Sequence, residues 1–244
     1  SFGAAMIGRV LEAMGLRVGI VAQPDWTRID SIQDMGTPKL FVGITAGNLD
    51  SMLSNYTAAR HKRKEDVYSE GGIPGKRPNH AAVVYSQMAR RAFPGVPVVL
   101  GGMEASMRRV AHYDYWEDKL KPSILSLAKA DVLVYGMGES AVREIVGRLR
   151  SGNKDFGGIR GTAIFLGSKA TASADFSDCI LLPSWEELQA DKTHLMRLTK
   201  VVEAQQTPHS GRRLVQMHGN RALLRSEEHT SELQSLAYLV CRLL

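Results

Sequence analysis

The stretch PVVLGGMEASMRR, at residues 97–109, decides the fold because an apolar run ends abruptly in polar side chains. The apolar run is too short for a buried helix and is typical of an interior strand. Two glycines follow it, and then come Glu104, Ser106, Arg108 and Arg109. Glycines at a strand end let a ligand or a neighbouring backbone approach closely. The pattern therefore predicts a buried strand whose carboxyl end opens onto a polar crevice.

Similar apolar runs lie on both sides of this stretch and alternate with helical patterns. The further strands are predicted at residues 17–23, 39–46, 130–136 and 161–167. Apolar residues recur at helical spacing within residues 6–14, 79–93 and 142–149. Strands that alternate with amphipathic helices form a parallel sheet covered on both faces and joined by right-handed crossovers. We therefore predict a doubly wound, Rossmann-like α/β fold over residues 1–170.

Loops at three of the predicted strand ends carry the candidate binding residues, since ligands of such sheets bind outside the carboxyl ends of the strands. The candidates for one shared crevice are Thr45, Asn48, Gly101, Gly102, Glu104, Ser106, Gly136, Gly138 and Glu139. The last loop has a G-x-G-x-x-A spacing, but a dinucleotide fingerprint belongs on the first strand and needs an acid closing the next one. The spacing therefore does not indicate a nicotinamide dehydrogenase, and Glu139 suits the first turn of a helix.

Composition argues against several classes of protein. No run of 18 or more apolar residues and no secretory signal pattern occurs, so we expect a cytoplasmic protein without a membrane span. The only cysteines are Cys179 and Cys241, which are far apart and form no metal-binding motif. The sequence therefore predicts no catalytic residue and no metal ligand in this chain.

A net charge of +6 raises the possibility of a nucleic-acid partner. Much of the excess lies in a loop at residues 60–77, but Glu65, Asp66 and Glu70 are interspersed among its basic residues. A solvated loop is the favoured interpretation, and RNA binding through this loop is left as a third, less favoured function.

Two histidines and the arginine pair are the other groups that could carry chemistry. His80 and His112 have no acid or cysteine partner fixed by spacing, so we expect both to be ordinary polar residues. The arginine pair could clamp an anion, but salt bridges to Asp114 or Glu117 are the favoured expectation.

Five long blocks occur in the order expected of one known family. They are SFGAAMIGRVLEAMGLRVGIVAQPDW at 1–26, GITAGNLDSMLSNYTA at 43–58, GGMEASMRRVAHYDYW at 101–116, ADVLVYGMGE at 130–139 and ILLPSWEEL at 180–188. Together they closely resemble the N-terminal region of the YgiQ-type radical SAM proteins. That region is similar to the cobalamin-binding type of Rossmann domain, with a GG-x-x-AS loop matched at 101–106 and a G-x-GE loop matched at 136–139.

The resemblance implies an enzyme that reductively cleaves S-adenosylmethionine at a 4Fe–4S cluster and acts on an unknown substrate. Three cysteines spaced C-x3-C-x2-C hold the cluster in this family, and the resemblance places them beyond residue 224. Two distant cysteines cannot replace them, so the chain is expected to be an inactive N-terminal fragment. Cobalamin is not implied, because QPDW at 23–26 stands where base-off cobalamin domains have Asp-x-His-x-x-Gly.

The remaining residues are interpreted as a linker and a tail. Residues 171–224 would lead to an absent radical SAM barrel, the expected partner, through a helix capped by Ser184 with Glu187 completing a capping box. The string RSEEHTSELQS at 225–235 resembles a translated sequencing adapter, which makes residues 225–244 a predicted artefact. We expect residues from Arg225 onward to pack poorly and residues 181–202 to expose apolar surface.

One further function is left open by the crevice itself. The Rossmann-like domain could act alone as a module that binds a nucleotide or a corrinoid, with a small molecule as its partner.

Overall fold

The computed structural model describes residues 2–206 and 211–227 of the chain. Within these ranges the strands form one seven-stranded sheet and one separate two-stranded hairpin. The strands are β1 (Val42–Thr45), β2 (Val98–Gly101), β3 (His112–Asp114), β4 (Lys119–Lys121), β5 (Val132–Val134), β6 (Thr162–Phe165), β7 (Ile180–Leu181), β8 (Leu214–His218) and β9 (Arg221–Arg225). The large sheet has the order β1-β2-β5-β6-β9-β8-β7, and β3 pairs with β4.

Helices cover both faces of the large sheet. They are α1 (Phe2–Ala13), α2 (Ser51–Asn55), α3 (Ala81–Ala92), α4 (Gly102–Met107), α5 (Ile124–Ala128), α6 (Glu139–Arg150), α7 (Ser168–Ser173), α8 (Trp185–Ala190) and α9 (His194–Ala204). Successive strand residues point to opposite faces, so Val98 and Leu100 join a core with α3 and α5, whereas Val99 joins a second core with α6. The predicted Rossmann-like α/β fold is confirmed.

The prediction of a first strand at residues 17–23 is wrong. Residues 17–23 form no strand, and the sheet ends at β1 on that side. Val18 instead packs with Leu11 of α1 and with α6, while Ile20 is half exposed. The short apolar run therefore packs Val18 partly against helices instead of adding a strand.

The predicted fifth strand exists as β6, but it runs antiparallel to β5. After α6, the loop at 151–161 returns along the sheet and buries Phe156 and Ile159 in the second core. Arg148 holds this loop by donating to the carbonyl oxygens of Asp155 and Gly157 at 2.8 and 2.7 Å. Because the loop runs back along the strand direction, β6 begins beside the carboxyl end of β5. β6 therefore runs antiparallel to β5, and the sheet is mixed instead of wholly parallel.

The region interpreted as a linker also contributes to the sheet. The predicted capping box is confirmed, because Ser184 and Glu187 bond reciprocally at the start of α8. Beyond α9, β8 and β9 form an antiparallel hairpin whose turn has Gly219 at a φ of 59°. Two apolar runs separated by Gly-Asn are a hairpin signal that the sequence analysis missed.

The expectation of poor packing from Arg225 onward is wrong for the first residues of that segment. Arg225 is 1% exposed, pairs with Ala163 in the sheet, and donates to the carbonyl oxygen of Gln205 at 3.0 Å. Ser226 continues the pairing by donating its backbone N–H to Thr162 at 2.9 Å. An arginine stem packs well in a sheet once its guanidinium has acceptors. Residues 228–244 lie outside the described residues, and their adapter origin stays a prediction.

The expected exposure of apolar surface between residues 181 and 202 is found at two positions. Leu181 and Met196 are 59% and 64% exposed, whereas Leu188 and Leu198 are buried in the larger core.

Candidate functional site

The carboxyl ends of β1, β2 and β5 lie side by side at one edge of the sheet. The three strands are parallel, with Thr45 opposite Gly101 and Leu100 opposite Leu133. The loops that follow them therefore converge, as the sequence predicts. Two contacts join the loops directly, one between Thr45 and Gly102 and one between Ser106 and Gly136.

Gly102 lies where β2 passes into α4 and must be a glycine for two reasons. Its φ is +84°, in the left-handed region that favours glycine. A Cβ atom at this position would overlap the hydroxyl of Thr45 and come within 3.3 Å of its Cβ. The Thr45 hydroxyl is itself held, because it accepts a hydrogen bond from the N–H of Gly47 at 3.2 Å.

We expect Gly102→Ala to lower the free energy of unfolding by about 2 kcal/mol, because backbone strain and steric overlap act together. Gly152→Ala is the matched control, since Gly152 also has a positive φ, of +78°, but open space around its Cβ position. The control variant should lower the free energy of unfolding by about 1 kcal/mol, from backbone strain alone. Urea unfolding of both variants measures the difference, and equal losses would show that the contact with Thr45 is unimportant.

Ser106 connects the second and third loops. Its hydroxyl donates to the carbonyl oxygen of Gly102 at 2.8 Å and accepts from the N–H of Gly136 at 3.3 Å. Gly136 has a φ of 66° and is exposed. The serine therefore fixes the spacing between the β2 and β5 loops.

Glu104, a predicted crevice residue, points away from solvent. The residue is 1% exposed, and its carboxylate accepts hydrogen bonds from the N–H and hydroxyl of Ser51 at 2.9 and 2.6 Å. The other oxygen accepts from the N–H of Ala82 at 3.0 Å. The carboxylate thus caps the N-termini of α2 and α3 together, where helix dipoles favour negative charge. Glu104 therefore organises the strand-end loops from inside.

The other predicted site residues lie around the same edge. Asn48 is exposed, and Glu139 is half-buried in the first turn of α6. Gly138 is the N-cap residue of α6, where a Cβ would come within 2.9 Å of Val134. Gly101 ends β2 and pairs with Thr45.

The arginine pair does not form the expected salt bridges to Asp114 or Glu117. Arg108 pairs with Asp50, the N-cap residue of α2. Arg109 donates to the carbonyl oxygen of Ser106 at 2.6 Å, and its guanidinium lies 4.9 Å from the centre of the Tyr135 ring. Both side chains therefore contact the strand-end region instead of the β3–β4 hairpin.

A second polar cluster was missed by the sequence analysis and consists of His80, Asp114 and Glu117, here called the His80 cluster. Nε2 of His80 lies 3.4 Å from Oε1 of Glu117 and 4.0 Å from Oδ2 of Asp114. Hydrogen bonds from Lys119 and Lys121 lower the pKa of Glu117 to about 2, so this carboxylate is charged at neutral pH. His80 therefore has the acid partners that spacing in the sequence could not reveal.

The His80 cluster borders a cavity of about 220 Å³ whose lining includes His80, Asp114, Arg108 and His112. Burial lowers the pKa of His112 to about 4, so its imidazole is neutral at physiological pH. The cavity thus combines the neutral imidazole of His112 and the side chain of His80 with a buried carboxylate, a guanidinium and the ammonium of Lys121.

A buried ion pair anchors the basic loop at 60–77. Arg77 and Asp66 are 6% and 3% exposed, and one guanidinium nitrogen lies 3.0 and 2.9 Å from the two carboxylate oxygens. Burial disfavours the charged carboxylate, but hydrogen bonds from Ser69, from the N–H of Tyr68 and from Arg77 outweigh it and lower the pKa of Asp66. Most other residues of this loop are exposed, among them Arg60 and Lys62, as expected of a solvated loop.

The chain's own donors do not fit an iron–sulfur cluster or a base-off corrinoid. A site-differentiated 4Fe–4S cluster needs three thiolates, and the sequence contains two cysteines. Burial raises the pKa of Cys179, which disfavours its thiolate. The loop at 23–26, where a base-off cobalamin domain would have its histidine, contains no histidine, and Gln23 donates to the hydroxyl of Ser69 at 2.7 Å.

Comparisons with known proteins cover nearly the whole chain. A family model described as "Radical SAM N-terminal" matches residues 1–237. UPF0313 proteins of Bradyrhizobium diazoefficiens and Methanocella arvoryzae are each 46% identical to the chain, over 91% and 89% of it. A UPF0313 protein of Geobacter sulfurreducens is 44% identical over 92% of the chain.

The chain spans only 36–37% of the length of these three relatives. No solved structure is significantly similar to it. Among residues 2–206 and 211–227, every helix is too short or too polar to cross a bilayer.

Proposed function

Because the chain belongs to the radical SAM N-terminal family, as a member of the YgiQ-type (UPF0313) group, we propose that it is the N-terminal region of an iron–sulfur enzyme. The complete enzyme would cleave S-adenosylmethionine reductively and use the resulting radical on a substrate. The observation that carries the proposal is the family match over residues 1–237, which includes all three strand-end loops of the candidate site.

The cluster ligands would lie outside these 244 residues. The chain spans only 36% of the length of such a relative, so the longer protein has room for a cluster-binding domain, whereas this chain lacks the required third cysteine. No residue of this chain is assigned a catalytic role in the cleavage. A cytoplasmic location fits the proposal, because a reduced cluster and free thiols persist best in a reducing compartment.

In this proposal the Rossmann-like domain supports the cluster-binding domain and offers it the strand-end crevice. The carboxylate of Glu104 and the hydroxyl of Ser106 already have protein partners, so they shape the loops. Asn48 and the backbone around Gly136 are exposed and are the groups available to a small-molecule ligand. The exposed Leu181 and Met196 offer apolar surface to the rest of the longer protein.

The test uses the longer Geobacter relative, with its cluster reconstituted under anaerobic conditions. After reduction with dithionite in the presence of S-adenosylmethionine, we expect 5′-deoxyadenosine and methionine in equal amounts, measured by liquid chromatography and mass spectrometry. Replacing one cysteine of the expected C-x3-C-x2-C motif with alanine is the control and should abolish both products. A fully reconstituted, reduced protein that produces neither compound would refute the proposal.

A further inference from the structure

The His80 cluster is a feature that the proposed function does not use. We propose that His80, Asp114 and Glu117 bind a divalent transition-metal ion, with Zn²⁺ as the ion that fits best. This inference rests on the geometry of the described residues and does not depend on the radical SAM assignment.

The three donor atoms come from separate elements and lie close enough to share one ion. His80 is the N-cap residue of α3, Asp114 ends β3, and Glu117 lies in the turn before β4. All three ligand atoms lie within 4.8 Å of one another. Two ligands on a tetrahedral Zn²⁺ ion are separated by about 3.4 Å, given bonds of roughly 2.1 Å. The distance of 3.4 Å between His80 and Glu117 already matches, and the distance of 4.0 Å between His80 and Asp114 requires a small side-chain movement.

The carboxylate of Asp114 provides independent support for a cation. Its side chain is fully buried, and Oδ1 accepts from the backbone N–H groups of Trp116 and Glu117 at 2.9 and 3.0 Å. These bonds fix the orientation of the carboxylate. Asp114 lines the cavity, and its buried Oδ2 has no hydrogen-bond partner among the described residues. A buried carboxylate oxygen without a partner costs free energy, which a bound cation would offset.

The donor set favours zinc over magnesium or calcium. Magnesium and calcium prefer oxygen ligands only, whereas imidazole nitrogen together with carboxylate oxygen suits zinc and its neighbours in the first transition row. His112 borders the same cavity, and its buried Nε2 also lacks a hydrogen-bond partner among the described residues. Three protein ligands beside a cavity would leave a coordination position open for water or a small ligand.

Lys121 is the competing cation. Its ammonium contacts Oε1 of Glu117 and lies 3.7 Å from Oδ2 of Asp114. A lysine ammonium is a point charge on a flexible stem, so it can withdraw when a doubly charged ion enters. Lys121→Met should therefore bind the metal about tenfold more tightly, because a competing charge within 4 Å is removed.

The experiment titrates the tag-free chain with Co²⁺, a spectroscopic substitute for Zn²⁺, and then displaces Co²⁺ with Zn²⁺. We expect one Co²⁺ per chain with the visible absorption of a low-coordinate nitrogen and oxygen site, and loss of that absorption when Zn²⁺ is added. Asp114→Asn keeps the acceptor at Oδ1 but removes the charge, and His80→Asn suits the left-handed backbone at His80, whose φ is 50°. Each should weaken metal binding at least tenfold, in the range typical of lost metal-site contacts.

His61→Asn is the matched control, because His61 is an exposed histidine in the basic loop. It should bind Co²⁺ as the unaltered chain does, and circular dichroism should show that all variants are folded. The proposal is overturned if the unaltered chain binds no Co²⁺, or if His80→Asn and Asp114→Asn bind it as tightly as the control. Thiolate charge-transfer bands in the Co²⁺ spectrum would place the ion at a cysteine and would also overturn it.

Discussion

Replacing Arg77 with methionine should lower the free energy of unfolding by about 3–5 kcal/mol, because the variant leaves a buried carboxylate without its cation. Asp66 is 3% exposed and faces the guanidinium at 2.9 and 3.0 Å. Methionine preserves much of the side-chain volume, so the loss reports charge and hydrogen bonding more than packing. Urea unfolding monitored by circular dichroism measures the effect.

A neighbouring ion pair provides the control for Arg77. Lys76 lies 3.2 Å from Glu70 on the surface, with the Glu70 side chain 92% exposed. Lys76→Met should cost no more than about 1 kcal/mol, as is usual for exposed pairs. The double variant Asp66→Asn with Arg77→Met should recover part of the loss, because neither charge then remains buried. A cost for Arg77→Met as small as that of the surface pair would contradict the role assigned to this anchor.

Replacing Glu104 with glutamine should lower the free energy of unfolding by about 3–4 kcal/mol. The charged acceptor of three hydrogen bonds is lost, and the new amide group faces hydrogen-bond donors. One carboxylate oxygen accepts from two groups of Ser51, and the other accepts from the N–H of Ala82. Glutamine has a single acceptor oxygen, so the N-terminus of either α2 or α3 must lose its hydrogen-bond acceptor. The midpoint of urea unfolding should fall accordingly.

Glu139→Gln is the control with the same chemical change. Glu139 is half-buried in the first turn of α6, where a carboxylate gains about 0.3–1 kcal/mol from the helix dipole. Similar losses for the two variants would mean that Glu104 is an ordinary first-turn acid, and the capping of two helices would have to be abandoned.

The sequence predicted where the strand-end loops converge, because parallel strands place their carboxyl ends at one edge. Thr45, Gly102, Ser106 and Gly136 are joined there by direct contacts. The direction of each side chain could not be predicted. Glu104 turns inward because the N–H groups of two helices meet behind it, and that meeting depends on contacts between distant parts of the chain.

The direction of β6 was predicted wrongly for a related reason. The predicted parallel direction of β6 assumed that α6 completes the crossover, but the loop at 151–161 travels back along the sheet and buries Phe156. The His80 cluster could not be predicted because His80 and Asp114 are distant in sequence and meet only where the N-terminus of α3 reaches the β3–β4 hairpin. The β8–β9 hairpin, in contrast, had a local signal in Gly219 and Asn220 that sequence analysis could have used.

Whether this chain is the cluster-free part of an iron–sulfur enzyme is tested most directly by measuring iron and sulfide after anaerobic reconstitution. The 244-residue chain and the longer Geobacter relative are treated in parallel, and the electron paramagnetic resonance spectrum of each is recorded after reduction. We predict about four irons per chain and the signal of a reduced 4Fe–4S cluster in the relative, and neither in this chain, which lacks a third thiolate. A reduced 4Fe–4S signal from this chain, or its absence from the fully reconstituted relative, would contradict the account.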